Sequence, residues 1–173
     1  MMKVPDFQIQ TARCQILRLT GADAGEVAAI TDASVTDRVD FLPADFDLAA
    51  ATALIDSMDR VTAYHGVRLI GTDALVGVIG VHAGEGQDLE IGTWFAAAAR
   101  GQGLASETVS AVVRHLAALC PGCAIFAECA PANIPSWALL RRIGFAPSGQ
   151  DGRRMGRRQL RWYAEAGQRI DVC

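Results

Sequence analysis

Between residues 89 and 120 the chain changes its hydrophobic period once, and that change limits the folds open to it. Leu89 to Phe95 alternates, with Leu89, Ile91, Thr93 and Phe95 on one face and Glu90, Gly92 and Trp94 on the other, as in a strand. From Ser106 the apolar positions Val109, Val112, Val113, Leu116 and Cys120 take up the i, i+3, i+4, i+7 spacing of a helix. Arg100-Gly101-Gln102-Gly103-Leu104-Ala105 lies between. A strand that feeds a helix through a glycine-rich turn lays that helix back over a sheet, so neither an all-helical nor an all-β chain is expected.

The remaining elements fit around this unit. Gln15 to Leu19 reads as a strand, followed by a helix from Asp23, whose carboxylate can cap free amides, to Thr31. Val39 to Pro43 reads as loop, and Asp47 can cap an alanine-rich helix running to Met58. Tyr64 to Ile70 and Leu75 to His82 are strand-like and flank Gly71-Thr72-Asp73, a hairpin signal. Pro121-Gly122 stops the long helix, and Ala124 to Cys129 reads as a buried strand. Pro135 suits the first turn of a helix that closes at Arg142 before Gly144. Phe145 to Ala146 and Gln159 to Tyr163 form a last strand pair around a Gly/Arg-rich turn. The class is α/β of the α+β kind, with helices flanking a mixed, mostly antiparallel central sheet.

At 173 residues the chain is expected to form one domain, 1–173, and 51% hydrophobic with 20% charged residues argues against disorder. Its apolar runs are far short of the roughly 20 residues of a membrane span. No secretory signal follows Met1-Met2-Lys3, and a cytoplasmic location is expected. Five cysteines, Cys14, Cys120, Cys123, Cys129 and Cys173, form an odd set read as reduced thiols. Cys120-Pro121-Gly122-Cys123 lacks the second pair a zinc site needs, and it follows a helix rather than starting one, so neither metal nor redox chemistry is expected there. The net charge of −3 conceals a gradient from −5 over residues 1–60 to +4 over residues 101–173, with seven arginines from Arg141 to Arg161. An acidic chain without a broad basic surface is a poor nucleic-acid binder, although the arginine cluster keeps that alternative open.

The turn itself suggests a ligand. The first amides of a helix have no carbonyl partners, and with the helix dipole they favour an anion such as a phosphate. Gly101 and Gly103 let the backbone approach such a group and Ala105 keeps the next position small. The spacing matches neither G-x-G-x-x-G, which needs glycine at Ser106, nor a P-loop.

Glu90-Ile91-Gly92-Thr93-Trp94-Phe95, then Arg100-x-x-Gly103-x-Ala105, then Asn133-x-x-Ser136 leading to Arg142-Ile143-Gly144-Phe145 resemble the GNAT superfamily of acyl-CoA-dependent N-acyltransferases. The likeness runs from Leu17 to Tyr163 and is similar to the branch that includes the ribosomal-protein N-terminal alanine and serine acetyltransferases. It implies that strands 90–95 and 124–129 splay apart and that acetyl-CoA is the co-substrate, with no metal. It further implies that Gly101, Gln102, Gly103, Leu104 and Ala105 cradle the pyrophosphate and that Arg100 holds the loop or the phosphates. A backbone amide near Phe95 would polarise the thioester carbonyl. Asn133 would bond the pantetheine arm and Ser136 would lie near the sulfur.

The implied reaction is direct attack of a primary amine on the thioester, for which a base must remove a proton. Glu90 is the first candidate because it begins the central strand, and the alternative for it is a solvated surface position. His82, at the end of the neighbouring strand, is the second candidate, and Glu128 ranks below both. The family's usual tyrosine acid, seven residues after the asparagine, is Leu140 here, which leaves Ser136 as the nearest hydroxyl. An acyl-enzyme on Cys129 has no base placed near it. Phe41, Leu42, Asp45 and Asp47 are candidates for the acceptor end, where the acidic N-terminal half suits a cationic amine. A peptide N-terminus and a small-molecule amine both fit, a non-catalytic acyl-CoA-binding regulator is the alternative, and a monomer or homodimer is expected.

Overall fold

The computed structural model describes residues 3–163, so Cys173 and the outer ends of the expected 1–173 domain lie outside the described residues. The chain runs β1 (Ile9–Gln10), β2 (Cys14–Arg18), α1 (Ala24–Ile30), α2 (Ala33–Thr36), α3 (Leu48–Asp56), β3 (Thr62–Leu69), β4 (Leu75–Ala83) and β5 (Leu89–Phe95). It continues with α4 (Leu104–Leu119), β6 (Ile125–Cys129), α5 (Ile134–Arg142), β7 (Phe145–Asp151) and β8 (Arg158–Trp162). The strands form one eight-stranded sheet in the order β1-β2-β3-β4-β5-β6-β8-β7. Every pairing is antiparallel except β5 with β6, which are parallel because α4 crosses over between them.

The alternation of each strand feeds two cores, one per sheet face. Ile16, Val67, Ile79, Val81, Leu89, Ile91 and Phe95 pack beneath α4 and α5, whereas Tyr64, Val78 and Trp94 pack with Ala24 and Val27 of α1 and Ala51 and Ile55 of α3. The face assignment of β5 therefore holds, with Thr93 half-buried and donating its hydroxyl to Val78 O at 3.0 Å.

Several boundaries differ from the sequence expectation, each for a local reason. The cap ahead of α1 is Thr20, which forms a reciprocal capping box with Asp23 around a short 3-10 turn, Gly21–Asp23. Asp32 caps α2, a single turn too short to show a period. The long helix begins at Leu104 rather than Ser106, because Gly103 takes a left-handed conformation at φ 77° and serves as its N-cap. Strand β7 continues past Ala146 to Asp151. Strand β1 contributes two residues, paired as Ile9 with Ile16 and Gln10 with Gln15.

The parallel β5–β6 pair is registered only at Leu89 with Ile125 and Glu90 with Phe126. Beyond Glu90, strand β5 stays paired with β4 as far as Phe95 with Gly77, and β6 stays paired with β8 to Cys129. The sheet thus opens into a wedge between its two central strands.

Candidate active site

The wedge is the core of a cavity of about 530 Å³ that reaches from the glycine-rich turn to the opposite face of the sheet. The backbone supplies its first chemistry. Ala96 N donates to Val76 O at 3.0 Å, so in the antiparallel alternation Trp94 and Gly92 also bond toward β4. The amides of Thr93 and Phe95 consequently point toward the gap, beyond the last residue that β6 pairs. Phe95 O is taken by Arg100 Nε at 3.0 Å, which fixes the strand end to the turn.

The turn is held through its carbonyls. Arg13 Nη1 donates to Gln102 O at 2.9 Å, and Arg13 Nε is paired with Glu107 Oε2 at 2.7 Å. Gln102 Nε2 reaches Ala98 O at 2.8 Å. Gly101 and Gly103 have φ of 76° and 77°. The amides of residues 101–106 donate to no acceptor among the described residues, and they open α4, a 16-residue helix. This is a preformed anion cradle. Leu104 is buried beneath it and Ala105 half-buried, and both line the cavity.

Across the gap Asn133 is the N-cap of α5, its Oδ1 accepting from Ser136 N at 3.4 Å. Its Nδ2 has no partner among the described residues. Asn133, Ser136 and the buried Leu140 all line the cavity. Cys129 is buried, and burial pushes its thiol up from its ordinary value against the opposing effect of Arg157, which keeps it a poor nucleophile.

The far end of the cavity is built from strand residues of the second core. Glu90 and His82 are cross-strand partners, and both line the cavity with Tyr64 and Trp94. Glu90 is buried rather than solvated, and its carboxylate is fully engaged: Oε2 accepts from Arg153 Nη2 at 2.5 Å and Oε1 from Arg154 Nη1 at 2.9 Å. Glu128 is also buried and anchors the β7–β8 turn by accepting from Arg153 N at 2.8 Å and Arg154 N at 3.3 Å. His82 Nδ1 lies 3.3 Å from Thr62 Oγ1. Burial holds the imidazole below its ordinary value, against an opposing pull from Glu90, so it is neutral at pH 7. Tyr64 packs edge-on against His82 and Trp94, and burial pushes its phenol up to about 12.

Phe41 is half-exposed at this end, edge-on to Trp94, while Leu42 is buried in the second core. Asp47 caps α3 through Ala50 N at 2.9 Å, and neither it nor Asp45 borders the cavity. The sequence analysis missed the pairing of Glu90 with Arg153 and Arg154, although the run of arginines was visible. Tyr64 and Trp94 were also missed, since the sequence offers them only as strand positions. No three His, Cys, Asp or Glu side chains cluster as a metal site among the described residues, and no helix among them is long and apolar enough to cross a membrane.

The family model for the acetyltransferase (GNAT) domain matches residues 13–146. No curated protein matches by sequence. Solved structures match in fold. An acetyltransferase of the GNAT family from Bacillus anthracis superposes with TM-score 0.77 at 24% identity, covering 90% of this chain and 96% of that one. The ribosomal-protein-S5-alanine acetyltransferase from Vibrio fischeri gives TM-score 0.72 at 14% identity, with 90% and 96% covered. AAC(6')-Ib in complex with ribostamycin and coenzyme A gives 0.75 at 16% identity, with 92% and 98% covered. The family match takes in the brace at Arg13, the splayed strands and the glycine-rich turn, and the chain belongs to the GNAT acetyltransferase family.

Proposed function

We propose that the protein transfers the acetyl group of acetyl-CoA to a primary amine by direct attack, without an acyl-enzyme. The observation that carries this reading is the continuity of one cavity, which joins a cradle of free amides to a neutral histidine through a gap lined by unpaired strand amides. The pyrophosphate sits on the amides of residues 101–105, with Arg100 holding the loop. The pantetheine arm lies in the wedge, where Asn133 Nδ2 and the strand amides are its partners. The Phe95 amide donates to the thioester oxygen and stabilises the charge that develops there as the amine attacks.

The protonated amine must lose a proton before it attacks. Glu90 does this only if Arg153 and Arg154 withdraw, since both of its oxygens are engaged. His82 is therefore assigned as the base. With Nδ1–H directed at Thr62 Oγ1, its Nε2 lone pair is available to the amine or to an intervening water. A thiolate is a tolerable leaving group because its basicity is modest, so it can depart without a dedicated acid and take its proton from solvent, and Ser136 is assigned to hydrogen-bond the sulfur as it leaves. AAC(6')-Ib in complex with ribostamycin and coenzyme A has the same fold, which supports an amine as the acceptor.

Calorimetric titration with acetyl-CoA, followed by a free-thiol assay over a panel of amines and N-terminal peptides, tests the proposal. Binding followed by amine-dependent thiol release is the expected result. Binding without release from any amine favours an acyl-CoA-responsive regulator, and absence of binding removes the cofactor assignment.

A further inference from the structure

The acceptor end of the cavity is unusually poor in free negative charge for a site that must receive an amine. Glu90 and Glu128 are the carboxylates that border it, and arginines engage both. Asp40, just outside, is paired with Arg157 at 2.9 Å. Arg153, Arg154 and Arg157 engage Glu90, Glu128 and Asp40, and Arg38 borders the cavity as a further cation. A polyamine or amino sugar gains affinity from unpaired carboxylates, and this end offers none among the described residues. Over the Phe41 ring, a place suited to an organic cation, the Arg154 guanidinium already lies 5.9 Å from the ring centroid.

Donors, by contrast, are in surplus. Arg154 makes both of its carboxylate contacts through Nη1, which leaves Nη2 and Nε without a partner among the described residues while its side chain remains 36% exposed. Arg38 also borders the cavity, is exposed, and its guanidinium has no partner among the described residues. Its position is fixed from behind, because Arg157 Nη2 donates to Arg38 O at 2.9 Å. Arg157, in the β7–β8 turn, also ties this segment to β6 by donating to Asp40 and to Glu128 O. The two guanidiniums thus stand on segments braced against each other. Such planar donor forks match the two oxygens of a carboxylate.

We propose that the acceptor carries a carboxylate close to its reacting amine, as an α-amino acid does, and that Arg154 and Arg38 hold that carboxylate at the acceptor end of the cavity. The inference rests on the acetyl-transfer reading above. It agrees with the size of the site, since about 530 Å³ must also contain the pantetheine arm and leaves room for a small acceptor. With its carboxylate on the arginines, the amine of such a molecule lies on the side of His82 and the thioester. The apolar wall of Phe41, Tyr64 and Trp94 is left for its side chain.

The test is the free-thiol assay with acetyl-CoA over the common amino acids, each against its carboxamide, with spermidine and ribostamycin as polycations. The expected result is a kcat/KM at least tenfold higher for one or more acids than for the matching amides. In Arg38→Gln that preference should shrink toward one through a higher KM for the acid, and Arg38→Lys should restore part of it. Amides equal to acids across the panel, or faster turnover of a polycation, overturns the proposal while leaving acetyl transfer standing. Thiol release from no amine at all, in a protein that binds acetyl-CoA by calorimetry, overturns acetyl transfer and this proposal with it.

Discussion

His65 is wholly buried in β3 beneath the first core, stacked on Phe7 with ring centroids 4.0 Å apart, and neither ring nitrogen makes a hydrogen bond among the described residues. Burial, with Arg18 adding to it, lowers its pKa from 6.5 to about 4. The unfolded chain therefore binds a proton between those values that the folded chain refuses. Above pH 6.5 the ring adds no pH-dependent cost, and stability falls as pH drops toward 4, by about 2 kcal/mol at pH 5. Replacing the ring by His65→Leu should flatten the fall in urea midpoint between pH 6.5 and 4 relative to wild type, and an unchanged slope would show that His65 does not set it. His82 is also depressed by burial but faces the cavity. As the base it requires kcat/KM to fall with unit slope on the acid side of a midpoint below 6.5. His82→Gln should lower kcat/KM by about 100-fold or more and remove that limb. If Glu90→Gln removes the limb instead and His82→Gln keeps it, the base is the carboxylate.

At the scale of elements, the turn before α4 depends on backbone conformation and on one brace from a distant hairpin. Gly103 sits at φ 77°, where a side chain costs about 1 kcal/mol. A carboxylate there also stands in the anion cradle. Gly103→Glu should leave the thermal transition cooperative yet raise the acetyl-CoA Kd beyond calorimetric detection. Arg13→Ala removes the contacts to Gln102 O and Glu107. Because the ion pair is half-exposed it contributes little to folding, so the expected effect is weaker acetyl-CoA binding with nearly unchanged stability. The turn, the long helix and the alternation of β5 were legible in sequence because glycine, period and chain direction act locally. The brace was not, because Arg13 and Gln102 meet only after β2 is placed in the sheet. Glu90 was legible as a residue facing the site, but its capture by Arg153 and Arg154 depends on how the β7–β8 turn folds back onto Glu128. Asp23 and Asp47 show the same division. Both sit at helix starts as expected, yet Asp23 serves the turn before its helix and Asp47 is kept from the cavity by its cap.

For the molecule as a whole, the open sheet is a cost that a ligand can remove. The two central strands share only two registered pairs, so the amides of Thr93 and Phe95 face the gap without a strand partner. The two strands that border the wedge are paired through backbone at its closed end, while α4 packs on a core that draws residues from both sides of it. On the proposed reading, acetyl-CoA lying along the wedge as an added strand would satisfy those amides, whereas the unfolded chain has no such site. By mass action, a ligand at 100 times its Kd stabilises the folded state by about 2.7 kcal/mol. For a chain of this size that corresponds to a rise in Tm of about 5 to 10 °C. Hydrogen exchange should locate the gain: the amides of Thr93, Phe95 and residues 101–106 should become protected, while those of β3 and α3, remote from the wedge, should change only in proportion to global stability. Protection confined to the turn would mean that the cofactor is held by its phosphates alone and that the wedge serves some other ligand. In Gly103→Glu both the Tm rise and the protection should vanish together if, as proposed, the amides of residues 101–105 hold the phosphates and so position the arm between the strands.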